Sequence, residues 1–151
     1  MSDSNRLHTF SVEATGDRPT RTTVTTRGFE FVVDEPAALG GDDAGPNPVE
    51  YLLGALAGCL NVVGHLVADE MGFELDGIEF RVEGDLDPAA FQGADTDARA
   101  GYQDVRVELV PETDADEATL DEWLSQVEAR CPVSDNVGAA KPMSLSVGPS
   151  N

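Results

Sequence analysis

An α+β fold with a mostly antiparallel sheet is what this 151-residue sequence predicts, and three observations carry it. Short β-branched runs near the start are separated by turn chemistry. One long stretch, Asn47 to Gly72, keeps apolar residues on a single helical face. After it come two runs that alternate apolar and charged side chains, then a second amphipathic stretch. Strands, helix, strands and helix in that order make an α+β domain over residues 1–151.

Taken in order, His8 to Thr15 and Thr20 to Thr26 read as strands, joined into a hairpin by Gly16-Asp17-Arg18-Pro19. Phe29 to Val33, entered through Gly28, is a third strand in the same meander. The loop Asp34 to Pro46 then delivers the chain to the central helix. There Leu52, Leu56, Cys59, Leu60, Val63 and Val67 recur at steps of three and four. Asn47 can cap this helix, Pro48 suits its first position, and Glu50 falls where a capping-box carboxylate reaches back to the cap. Gly72 suits its end. Gly54, Gly58 and Gly64 each cost about 1 kcal/mol against alanine in a helix interior, so a close-packed neighbour, a helix or a partner chain, is expected to use their missing side chains. Gly77 to Asp85 alternates Ile78, Phe80 and Val82 inward against Glu79, Arg81 and Glu83 outward. Asp87 to Gly101 is a polar loop. Tyr102 to Val110 alternates again, with Pro111 expected to end it. Thr113 to Arg130 reads as an acidic helix with Leu120, Trp123, Leu124 and Val127 on one side, stopped before Pro132. Pro142 to Val147 is expected to form a last strand.

Composition narrows the function. With 29 acidic against 9 basic residues the formal net charge is -20, which disfavours nucleic acid and anionic membrane surfaces as partners. The acids are spread from Asp3 to Asp135, so the charge belongs to the whole surface. We read it as adaptation to a high-salt cytoplasm, where a screening length of ~3 Å at 1 M makes the self-repulsion tolerable. Dialysis from molar to millimolar salt is accordingly expected to reduce ellipticity or raise aggregation, and a salt-indifferent fold would refute the reading. The start, MSDSNRLHTF, lacks an apolar run and does not read as a signal peptide. Tyr51 to Ala68 is long and uncharged enough to raise the question of a membrane span. Asn61, His65, three glycines and the acidic flanks Glu50 and Asp69 favour a buried helix instead.

The chemical signal is a pair of cysteines, Cys59 on the apolar face of the central helix and Cys131 in Arg130-Cys131-Pro132-Val133-Ser134. A thiol acts as nucleophile only as thiolate. If a short helix starts at Pro132, the amides of Val133 and Ser134 would point at the Cys131 sulfur, and Arg130 is adjacent. Cys59 has no local stabiliser. The plain alternative is that both are small buried hydrophobes. Zinc is a poor reading, because His8, Cys59, His65 and Cys131 include no close ligand pair. A Cys59-His65 dyad fares no better, since six residues of helix turn the imidazole about 120° away from the sulfur. No glycine-rich phosphate loop follows a strand.

The run GPNPVEYLLGALAGC from Gly45 to Cys59, with CPVS from Cys131 to Ser134 about seventy residues later, resembles the OsmC/Ohr family of thiol-dependent peroxidases. The resemblance covers most of the chain. It implies an α+β, OsmC-like fold in an intertwined homodimer, with long helices packed centrally and active sites at the subunit interface. It also implies that Cys59 is the peroxidatic cysteine and Cys131 the resolving one, with an arginine holding the thiolate and a glutamate positioning that arginine. Ala14-Thr15-Gly16-Asp17-Arg18 resembles the ATGGR segment of the Ohr branch, which makes Arg18 the first candidate against the alternative of a solvated turn residue. Arg27 is the second, because the OsmC branch places its arginine later. Glu50 departs from the pattern. The Ohr glutamate directly follows the Asn-Pro pair, where this chain has Val49, and about 2.5 helical turns put Glu50 and Cys59 on opposite sides of a regular helix, so capping is the better reading for it.

The implied function is reduction of organic hydroperoxides in the cytoplasm by a homodimer that needs no metal or nucleotide cofactor and is restored by a small thiol or dithiol reductant. Two rivals remain. One is a non-catalytic protein binding a lipid-like or aromatic ligand, modestly favoured by Val49. The other is a thiol/disulfide exchange protein, against which the lack of a Cys-x-x-Cys motif counts.

Overall fold

The computed structural model describes residues 6–149, which divide at Leu52/Leu53 into two compact units. The first holds the three-stranded antiparallel sheet β1 (Glu13–Thr15), β2 (Thr22–Thr26) and β3 (Phe29–Val33), with β2 central. Two residues, Arg27 and Gly28, join β2 to β3, and Thr26 pairs with Phe29 across them. Both have positive φ, 50° and 85°, as a two-residue hairpin turn that follows the strand twist requires. After β3 comes a loop containing a 3₁₀ turn, Ala37–Leu39.

The loop is organised by a side chain that the sequence does not single out. Asp34 is fully buried, and its carboxylate accepts from the Thr20 hydroxyl at 2.8 Å and from the backbone N–H groups of Glu35 at 2.8 Å, Asp42 at 3.2 Å and Ala44 at 3.0 Å. The amides of Ala44 and Glu35 and the Thr20 hydroxyl hold its pKa at about 2 against an ordinary 3.8, with burial opposing them. A carboxyl whose folded pKa lies below its unfolded value stabilises the fold above about pH 4, and that contribution is lost as pH falls through 2. Amide exchange in residues 35–46 is therefore expected to accelerate on acidification through this window, and Asp34→Asn should remove the pH dependence.

The helix α1 (Pro48–Met71) begins with a complete capping box: the Glu50 N–H donates to Asn47 Oδ1 and the Asn47 N–H to Glu50 Oε1, each at 2.9 Å. It ends as expected at Gly72, whose φ is 81°, where the Gly72 N–H reaches the Asp69 carbonyl and the Phe73 N–H that of Ala68. By length and composition alone α1 would pass for a membrane span. In this chain, Leu56, Leu60, Val63, Val67 and Ala68 form one buried cluster with Trp123, Val127 and Cys131.

The second unit also contains the antiparallel pair β4 (Gly77–Leu86) and β5 (Tyr102–Glu112), then α2 (Glu117–Arg130) and α3 (Pro132–Gly138). Ile78, Phe80 and Val82 face the core as their alternation requires. Asp116 caps α2 by accepting from the Thr119 N–H at 2.8 Å, so this helix starts four residues later than its apolar pattern suggests.

Several expectations are corrected. The strands form two separate sheets rather than one. Pro111 does not end β5, which runs on to Glu112, because a strand with a neighbour on one side only tolerates a residue without an N–H. Of the predicted strand His8 to Thr15 only the last three residues are strand. Pro142 to Val147 forms no strand, and Met143, Leu145 and Val147 are 84%, 84% and 101% exposed. Their alternation is a strand pattern, but among the described residues no strand pairs with them to complete the hydrogen bonding. Leu52, assigned to the apolar face of α1, is also exposed. The helix glycines divide: Gly64 is filled against, since a Cβ there would lie 2.8 Å from Ile78 Cδ1 and 3.1 Å from Trp123 Cζ2, whereas Gly54 and Gly58 face open space.

Candidate functional site

Cys59 and Cys131 both belong to the second unit, and the fold brings them together. Cys59 lies one turn before Val63 on α1, half-buried and packed against the core cluster that contains Cys131. Cys131 sits at the joint of two helices, ending α2 and capping α3. Its φ and ψ of -83° and 111° are extended, as Pro132 imposes on the residue before it. This geometry turns the Ser134 N–H toward Cys131 Sγ at 3.4 Å.

Burial pushes the Cys131 thiol above its ordinary 9.0, and hydrogen bonding and charge repulsion from the adjacent Cys59 push it the same way, while the amides of Ser134 and Val133 act in opposition. Cys131 is only 2% exposed. A buried, protonated thiol beside a more accessible one makes an asymmetric pair: Cys59 can meet a reagent from outside, and Cys131 stands behind it as a proton-bearing neighbour. Both are free thiols. Arg130, adjacent in sequence, gives Cys131 no obvious help. Its guanidinium forks onto the carboxylate of Glu70, at 2.6 and 3.1 Å.

The other candidates lie in the first unit. Arg18 Nη1 donates to Asp42 Oδ2 at 3.1 Å. Arg27 occupies the β2–β3 turn with its guanidinium 5.2 Å from the centre of the Phe29 ring, a cation–π contact. Glu50 is engaged in the capping box at the start of α1. His65 turns its Nδ1 to the carbonyl of Asn61, 2.9 Å away. Among the described residues no group of three or more His, Cys, Asp or Glu side chains is placed to hold a metal ion. Sequence reasoning missed Asp34 and Asp42. The only local signal was the glycine-rich acidic run Gly40-Gly41-Asp42-Asp43, which reads as loop chemistry.

Residues 40–146 match the family model described as OsmC-like protein. The chain belongs to the OsmC-like family. That span includes Glu50, Cys59 and Cys131, whereas Arg18 and Arg27 precede it. Among solved structures, an OsmC-like protein from Mycoplasma pneumoniae matches with a TM-score of 0.75 at 19% identity, over 87% of this chain and 88% of that one. An organic hydroperoxide resistance protein OsmC from Legionella pneumophila matches at 0.61 and 20%, over 87% and 90%. An OsmC-like protein of unknown function from Vibrio cholerae matches at 0.65 and 12%, over 85% and 93%. Likeness at these identities is likeness of fold. No match was found among proteins of curated function.

Proposed function

We propose that this OsmC-like protein is a cytoplasmic thiol-dependent peroxidase that reduces organic hydroperoxides. The observation that carries the reading is the asymmetric thiol pair, a half-exposed Cys59 in contact with a buried Cys131 whose pKa is raised. The Cys59 thiolate attacks the outer peroxide oxygen, the O–O bond breaks, and the departing alkoxide takes a proton to leave as an alcohol. Cys59 is then a sulfenic acid. The Cys131 sulfur displaces its hydroxyl as water, forming a disulfide, and two equivalents of a small thiol, or one dithiol, return both cysteines to thiols. Apolar residues around Cys59 favour an organic tail by about 0.8 kcal/mol per buried methylene.

The working unit we propose is a homodimer. Leu52, Val62 and Leu66 are exposed on α1, and Gly54 and Gly58 offer a surface on which another helix can approach closely. A second copy would also give the alternating Met143, Leu145 and Val147 a sheet to join.

One observation favours a second reading, a non-catalytic binder of an apolar molecule: the Glu50 carboxylate is engaged in closing a helix cap. Titration of free thiols before and after one equivalent of cumene hydroperoxide separates the two. Rapid loss of two thiols per chain is expected, and no loss would leave the binding protein.

A further inference from the structure

Cys131 stands at the joint of two helices that are held very differently. On one side α2 is fastened to α1 by the Trp123 indole, which donates to the Gly64 carbonyl at 2.8 Å, and by the fully buried Val127. On the other side α3 has no buried residue. Between Val127 and Cys131 lie Glu128, Ala129 and Arg130, all exposed. Arg130 reaches back to α1: its Nη1 and Nη2 donate to Glu70 Oε2 and Oε1 at 2.6 and 3.1 Å. Arg81 and Arg106 pair with carboxylates of their own two strands, and Lys141 with the nearby Asp135. Arg130 and Glu70 are sixty residues apart and join the helix that ends at Cys131 to the helix that bears Cys59. Two parallel N–H···O bonds fix orientation as well as distance, which a single exposed ion-pair contact does not. That precision matters to a thiol pair. A disulfide needs its sulfurs about 2 Å apart and its Cα atoms roughly 4.4–6.8 Å apart, so the end of α2 can wander little before the bond is out of reach.

We propose that Glu70 and Arg130 are positioning residues for the thiol pair, a clamp that orders the end of α2 carrying Cys131 against α1 before Cys59 is oxidised. The inference rests on the reading that the two thiols join in a disulfide. In that step the Cys131 sulfur bonds to the Cys59 sulfur, the Cys59 S–O bond breaks, and the hydroxyl leaves as water with the Cys131 proton. Arg130 contributes placement to it, since its charge is spent on Glu70. With the clamp in place the reduced joint is already ordered; without it the disulfide alone has to impose that order, and it forms less readily.

The test is the thiol–disulfide equilibrium of the full-length protein in glutathione redox buffers, read by mass spectrometry after acid quenching, which needs no peroxide. Glu70→Gln and Arg130→Met are each expected to lower the equilibrium constant for the disulfide by roughly threefold to tenfold. Combined, they should do little more than either alone, and the reversed pair, Glu70→Arg with Arg130→Glu, should restore most of the loss. The sign is diagnostic. The two single substitutions change the local charge in opposite directions, so a field effect on the thiols would move the equilibrium in opposite directions, whereas loss of a clamp moves it the same way. A lowered urea midpoint with an unmoved equilibrium would make the pair merely structural and overturn the inference. Shifts of opposite sign, fully additive shifts, or a parent that forms no disulfide overturn it as well. The peroxidase reading fails separately: if cumene hydroperoxide leaves both thiols free in a parent whose glutathione equilibrium responds to Glu70→Gln and Arg130→Met as expected, the peroxidase is refuted and the clamp stands.

Discussion

Cys59→Ser is expected to lower peroxide consumption in a thiol-coupled assay by at least ~10³-fold, the scale of removing a nucleophile for which no neighbour substitutes. Cys131 does not substitute for it, being buried and held protonated by that burial. The partner substitution distinguishes the two roles. Cys131→Ser leaves the nucleophile intact, so one equivalent of peroxide should still be reduced per chain. The sulfenic acid then has no internal thiol to condense with and should accumulate, trappable by dimedone at Cys59 and nowhere else. Turnover with monothiols slows but persists if the reductant reaches Cys59 directly. If instead Cys59→Ser keeps its activity and Cys131→Ser loses it, the assignment of roles is reversed. If neither variant changes the rate, the pair is structural.

The same pair illustrates what sequence can and cannot carry. The interval from Asn47 to Gly72 was legible as a helix because its start and stop are local chemistry: a cap, a proline, a back-reaching glutamate and a left-handed glycine, all realised in α1 and its ends. The joint at Cys131 was legible too, since Pro132 both stops α2 and opens α3. Asp34 was not. Its partners are a hydroxyl and three backbone N–H groups, and a backbone donor has no letter in the sequence. The strand expected over Pro142 to Val147 failed for a related reason. Alternation states which side of a strand is apolar, but the hydrogen bonds that make it a strand come from a neighbour, and no strand among the described residues supplies them there.

Trp123→Ala is expected to cost about 3–5 kcal/mol, read as a fall in the urea midpoint at unchanged slope. That is a large part of the 5–15 kcal/mol typical of a whole domain. The indole is 2% exposed, packs edge-on to Phe73 at 6.5 Å, and donates from Nε1 to the Gly64 carbonyl at 2.8 Å, fastening α2 to the middle of α1. Trp123→Phe keeps most of the bulk and loses the hydrogen bond, so roughly 1–2 kcal/mol should go. The glycine beneath provides the control. Gly64→Ala places a methyl against the rigid Trp123 ring and is expected to destabilise by about 1–3 kcal/mol despite better helix propensity. At Gly58 the same change meets nothing within the chain and should gain up to about 1 kcal/mol in a monomer. In the homodimer proposed above, bulk at Gly58 instead meets the second copy. Gly58→Leu should then lower the sedimenting mass toward that of one chain while leaving the Trp123 environment intact by near-UV circular dichroism. A dimer that tolerates leucine at this position does not pack through this face of α1.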